Sequence, residues 1–191
     1  QVSNGGFYFE QSGSLVLGST SATVARVGID GNTRNLNDSA QNGVSNTSGD
    51  ASVIIRIDSG SLVIDSTVET TGSGNILLEA TSGSITVNEE IRTGTGHITV
   101  LASDSIVFGD EGDVSTSGAG TIDFEATTGS ISLSTSADQT NEDGDIRFVA
   151  GVDIILGGMT STEGAVRMTA KTGTISSFRR TKRRWFGASD C

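Results

Sequence analysis

The chain has no proline, one cysteine, one histidine, one tryptophan and one tyrosine in 191 residues. Cys191 has no intrachain partner, so no internal disulfide forms. His97, between Gly96 and Ile98, lacks the second imidazole of a metal site or the partners of a triad, and reads as an exposed turn residue. The missing prolines argue against a Pro-rich linker, and no run approaches the roughly 18 apolar residues of a membrane span. Hydrophobic content is 34%, low for a compact globule. The start at Gln1 rather than Met suggests a processed protein or an excised segment.

Basic residues are scarce and uneven. The formal net charge is −11, with acid spread along the chain, which favours solubility and disfavours nucleic acid as a partner of the main body. Five of the twelve Lys and Arg lie in one run: Arg179, Arg180, Lys182, Arg183 and Arg184, followed by Trp185.

What the chain does contain is a repeat of about 22 residues. The stretch 74–87, G-N-I-L-L-E-A-T-S-G-S-I-T-V, aligns without a gap on 120–133, G-T-I-D-F-E-A-T-T-G-S-I-S-L. Three apolar columns run down it. The first is Val53, Ile76, Ile98, Ile122, Ile146 and Val166; the second is Leu62, Ile85, Ile106, Ile131, Ile154 and Ile175. A less regular third is Val68, Ile91, Val114, Ala137 and Met159. Three short strands per coil of 20–24 residues, separated by Gly-containing corners, predict an all-β parallel β-solenoid. Residues two apart share a strand face, so Ile76, Leu78 and Ala80 should point inward, as should Ile122, Phe124 and Ala126. The boundaries expected are an N-terminal coil at 1–24, a diverged coil or polar loop at 25–50, regular coils at 51–178 and a basic aromatic tail at 179–191. Of the two readings of 25–50, the Asn-, Ser-, Gly- and Asp-rich composition of 32–50 favours the loop.

The phrase G-x-I-x-[LVF]-x-A-x-x-G-x-I, at 74–85, 120–131 and more loosely 164–175, resembles the repeat region of filamentous haemagglutinin-type bacterial adhesins. The resemblance covers roughly 50–178 and implies a right-handed parallel β-helix shaft of a large exoprotein, secreted or at the bacterial cell surface. The Asn-Pro motifs of that family's secretion domain are not matched, since the chain has no proline.

Candidate sites are few. Parallel β-helices also carry polysaccharide lyases and hydrolases, with acids gathered in a groove. Outward acids here are Asp65, Glu79, Asp104, Asp123, Glu125 and Asp153, and in sequence no pair of them is tied to a basic residue in a repeated register; a solvated face is expected. Asp110 and Asp113, and Asp143 and Asp145, form dense acidic corners for which structural calcium is the alternative to plain solvation. The threonines Thr70 and Thr71, Thr93 and Thr95, Thr116, and Thr160 and Thr162 suggest an outward ladder, as on the ice-binding solenoids that this stretch distantly resembles; ordinary wet strand surface is the reading preferred. The tail Arg179, Arg180, Lys182, Arg183, Arg184 and Trp185 is the candidate partner-binding segment, for an anionic surface or an acidic copy of the same rod.

The expected function is therefore structural or adhesive and not enzymatic, with no cofactor. A rigid stalk or surface-fibre segment would self-associate along the solenoid axis or bind a surface glycan or protein receptor. A carbohydrate-active lyase or hydrolase and a self-assembling filament subunit are the alternatives.

Overall fold

The computed structural model describes residues 5–47 and 49–177. The basic tail 179–191, with Trp185 and Cys191, lies outside the described residues. Among those described there is no helix, and the strands stack in parallel into a β-solenoid of about six turns.

Three parallel sheets form the walls. The first holds Phe7–Ser12, Val53–Ser59, Ile76–Ala80, Ile98–Ala102, Ile122–Ala126, Ile146–Ala150 and Val166–Ala170. The second runs from Leu15–Leu17 through Leu62–Ile64 and Ile85–Val87 to Ile175–Ser177. The third runs from Val44–Asn46 to Gly158–Ser161. Alternation within each strand sends every second residue into a dry interior. Ala80, Ala102, Ala126 and Ala150 form a column of small buried residues, in register, where the wall nears a corner. Phe108, Phe124 and Phe148 fill the wider part, with ring centroids 5.0 and 4.9 Å apart.

The corner leading back to the first sheet explains two sequence features at once. Gly74, Gly96, Gly120, Gly144 and Gly164 each stand two residues before a first-sheet strand. A Cβ at Gly96 would collide with the Gly74 carbonyl oxygen, and one at Gly120 with that of Gly96. The same carbonyls need donors, and inward side chains of the third sheet supply them. Thr93 Oγ1 donates to Gly74 O at 2.6 Å, Thr116 Oγ1 to Gly96 O at 2.8 Å and Asn141 Nδ2 to Gly120 O at 2.6 Å. Thr70 Oγ1 and Asn46 Nδ2 both reach the Ala51 carbonyl. Thr70, Thr93 and Thr116 are therefore buried, contrary to the outward placement expected from sequence, while Thr71, Thr95, Thr160 and Thr162 are exposed as expected. A buried hydroxyl is tolerable because it satisfies a backbone oxygen that the tight corner turns inward.

A second correction concerns the third column. Register places Gln139, not Ala137, between Val114 and Met159. The strand Asp138–Asn141 turns Gln139 and Asn141 inward, while Ala137 is buried at the preceding corner. Gln139 Nε2 donates to Gly112 O at 3.3 Å, and its buried Oε1 has no partner. The column also starts one coil earlier than the sequence suggests, with Val44 paired to Val68.

Within 25–50 the chain is neither a coil nor an irregular loop throughout. Thr23–Val27 pairs antiparallel with Thr33–Asn37, and Ser19–Thr20 with Gln41–Asn42 at its base. This arm leaves the stack between Leu17, which ends a second-sheet strand, and Val44, which opens the third sheet. Its tip turns through Gly31 at φ 77°, with Asp30 Oδ1 accepting from the Asn32 N–H.

Replacing Thr93 by Val keeps the shape and removes the donor to Gly74; urea titration should show a loss of about 1–2 kcal/mol. Gly96→Ala, which forces two coils apart, should cost roughly 3 kcal/mol or more in the same measurement.

Candidate functional site

Parallel register brings like positions of successive coils together, so outward charges become columns. On the first sheet, Arg56 is in register with Glu10 and Glu79, and Arg147 with Asp123. Arg147 Nη1 donates to Asp123 Oδ1 at 2.7 Å and Nη2 to Glu125 Oε2 at 2.9 Å. These two hydrogen bonds raise the Arg147 pKa, Asp123 contributing more than Glu125. Lys171 Nζ lies 3.8 Å from the other oxygen of Glu125. Arg56 lies 3.5–3.6 Å from carboxylate oxygens of Glu10, Asp58 and Glu79. Glu79, Asp123 and Glu125 are thus each paired with an arginine of a neighbouring coil, a cross-coil pairing not expected from sequence, on a face that is still partly solvated. Sequence inspection misses the cross-coil pairs because their members lie one or two coils apart, 24 residues for Arg147 with Asp123 and 22 for Arg147 with Glu125.

On the third sheet the chain builds a more sheltered group. Glu69 accepts hydrogen bonds from the Ser45 hydroxyl and from Arg92 Nε at 2.8 Å, with Arg92 Nη2 also in contact. The Ser45 bond, then those from Arg92, hold the Glu69 carboxyl below its ordinary value. Arg92 is raised in turn, chiefly by its hydrogen bonds to Glu69.

A shallow depression of about 380 Å³ on the first sheet is lined by Glu79, Leu101 and Glu125. Its acids are two coils apart, about 10 Å by strand spacing, with Leu101 between them. Both are engaged by arginines, an arrangement suited to a solvated ion-pair ladder more than to proton transfer. The remaining outward acids also have partners. Asp65 Oδ1 accepts from Asn88 Nδ2 at 2.7 Å, and Asp153 Oδ1 from the Thr174 N–H at 2.8 Å. Asp104 Oδ1 accepts from Thr128 Oγ1 at 3.4 Å.

The acidic corners are structural as built. Asp113 Oδ1 accepts from the Asp138 N–H at 2.7 Å, and Asp145 Oδ1 from the Ala165 N–H at 2.8 Å, each joining its coil to the next. Asp110 Oδ1 accepts from Ser134 Oγ. The Asp143 N–H donates to Gly118 O at 2.9 Å. Among the described residues no three His, Cys, Asp or Glu side chains converge as metal ligands, so Asp110, Asp113, Asp143 and Asp145 are not brought into one cluster.

His97 is exposed, and it is also a rung. Its backbone N–H donates to Asn75 Oδ1 at 2.8 Å, and its ring Nδ1 accepts from the Thr121 backbone N–H at 3.1 Å. At the next corner a serine column does the same. Ser14, Ser61, Ser84 and Ser105 each accept, through Oγ, from the backbone N–H of the following coil.

Because Glu69 titrates lower when folded, the unfolded chain takes up its proton first as pH falls. Its contribution is full above the ordinary value of 4.5 and is lost as pH drops below it. Denaturation midpoints measured from pH 6 to about 3 should therefore decline less steeply in Glu69→Gln than in the parent.

Compared with known proteins, the chain matches no family model, no curated protein and no solved structure.

Proposed function

We propose that the chain is a stretch of an extracellular structural and adhesive β-solenoid, a rigid stalk or surface-fibre segment secreted by, or held at the surface of, a bacterium. The observation that carries this reading is the unbroken register of the walls from residue 53 to 177: each first-sheet strand pairs residue for residue with the next. Coils spaced about 4.8 Å apart make a straight, stiff body whose natural output is distance and display. The repeat phrase supports the same class, since it resembles the shafts of filamentous haemagglutinin-type exoproteins.

On this reading the outward acids are solvation and register devices, and the chain acts as a scaffold and not as a catalyst. Incubation with uronate-rich and neutral polysaccharides should release no reducing ends or unsaturated products above a heat-denatured control. Measurable cleavage would overturn the proposal in favour of a carbohydrate-active enzyme. Negative-stain microscopy should show discrete short rods at low concentration; long filaments there would make the chain a filament subunit instead.

A further inference from the structure

The arm at 19–42 is the one part of the described chain that the stack does not use. Every residue of Thr23–Val27 and Thr33–Asn37 is exposed. A lone two-stranded ribbon is marginal in water, and its side chains here have no core beneath them.

The arm carries two arginines and two aspartates, Asp30 and Asp38, and gathers both arginines on one face. Register sets Arg26 directly across from Arg34, and Val24 across from Leu36, so these four share one face by the period of two. Ile29 stands fully exposed at the tip. Arg26, Ile29, Arg34 and Leu36 line a depression of about 430 Å³ together with Asp30, whose carboxylate is taken up by the Asn32 backbone and side-chain amides. Like charges placed opposite one another repel, and among the described residues neither arginine has an ion-pair partner. Arg56, Arg92 and Arg147, by contrast, are each held between carboxylates.

The complementary surface is on the same chain. The arm replaces the corner between the second and third sheets in the first coil, and in the next three coils that corner is acidic. It carries Asp65, then Glu89 and Glu90, then Asp110 and Glu111, while Arg92 is the one Lys or Arg between positions 57 and 146. Beside it the second sheet presents Val63 and Val107 outward, the latter 41% exposed. An acidic edge bordered by valines matches an arginine pair bordered by Val24, Leu36 and Ile29 in both charge and apolarity.

We propose that the arm of one molecule docks on this acidic corner of a second copy, so that rods associate side by side. A carboxylate entering between Arg26 and Arg34 relieves their repulsion, and the flanking apolar residues leave water together. This contact is lateral and is separate from association along the solenoid axis.

Sedimentation velocity over a concentration series tests it, at low salt and at about 0.5 M, where the Debye length is a few ångströms. The full chain should self-associate at low salt and less at high salt. The double variant Arg26→Glu with Arg34→Glu should weaken the association constant roughly tenfold or more, as should Asp110→Lys with Glu111→Lys. Mixing the two variants should restore association between them, because each supplies the charge the other lost. Far-UV circular dichroism checks that both remain β-solenoids; the substituted positions are all exposed. The proposal is overturned if the parent stays monomeric throughout, or if the arginine variant associates as the parent does. It also fails if the folded variants do not recover association on mixing. A monomeric parent whose arm arginines instead govern retention on a sulfated polysaccharide or on anionic vesicles would assign the arm to that partner.

Discussion

Coils stacked in parallel at the spacing of hydrogen-bonded strands place each residue directly over its counterpart one turn away. Everything else in this molecule answers to that closeness. A position that suits one coil must suit its neighbours, because its nearest contact is a copy of itself. Gly96 is required because the Gly74 backbone occupies the place where a Cβ would be. Ala102 sits between Ala80 and Ala126 for the corresponding reason inside the wall. The repeat in the sequence is the record of this self-contact.

The same closeness decides how polar groups are handled. Tight corners turn carbonyls toward the interior, where each must find a donor or cost about 1–3 kcal/mol. Thr93, Thr116 and Asn141 meet that need with different side chains in one position, so the requirement is for a short inward donor and not for a residue type. Outside, register sets charges over one another, and the chain alternates their sign at Glu10, Arg56 and Glu79. Such exposed pairs are individually weak. Their consequence lies more in discouraging a one-residue slip, which would move a charge off its partner and every Ile to the wrong face.

Much of the solenoid was legible in the sequence. Ile, Leu and Val at a fixed interval have one reasonable place in a stack, and Gly followed by alternating apolar residues marks where each strand begins. Thr was not legible, since it serves equally as an outward strand residue and as a buried donor; the fate of Thr70 depends on the Ala51 carbonyl, which local pattern does not reveal. Gln139 was hidden because a polar residue broke an apolar column while Ala137, two positions away, offered a plausible substitute. Residues 25–50 favoured a polar loop because 32–50 are rich in Asn, Ser, Gly and Asp, and the few apolar residues of the arm, such as Val27 and Leu36, have no core to reveal them by alternation. The cross-coil ion pairs of Arg56 and Arg147 needed the register itself. Little of a functional site could be read, for the residues that recur build walls, and those that do not recur have no pattern to interpret.

The corner ladders have a direction. From Ser14 to Ser61 to Ser84, and from Asn75 to His97 to Thr121, the side chain of the earlier coil always accepts from the backbone amide of the later one. A partly folded chain thus presents, at its growing end, a row of acceptors already placed for the segment that follows. Coil addition on that end resembles crystal growth on a prepared face more than the search of a free chain. The backbone bonds run both ways between coils, as Ile76 N–H to His97 O and Thr81 N–H to Ile57 O show, so it is these side-chain ladders alone that give the stack a direction.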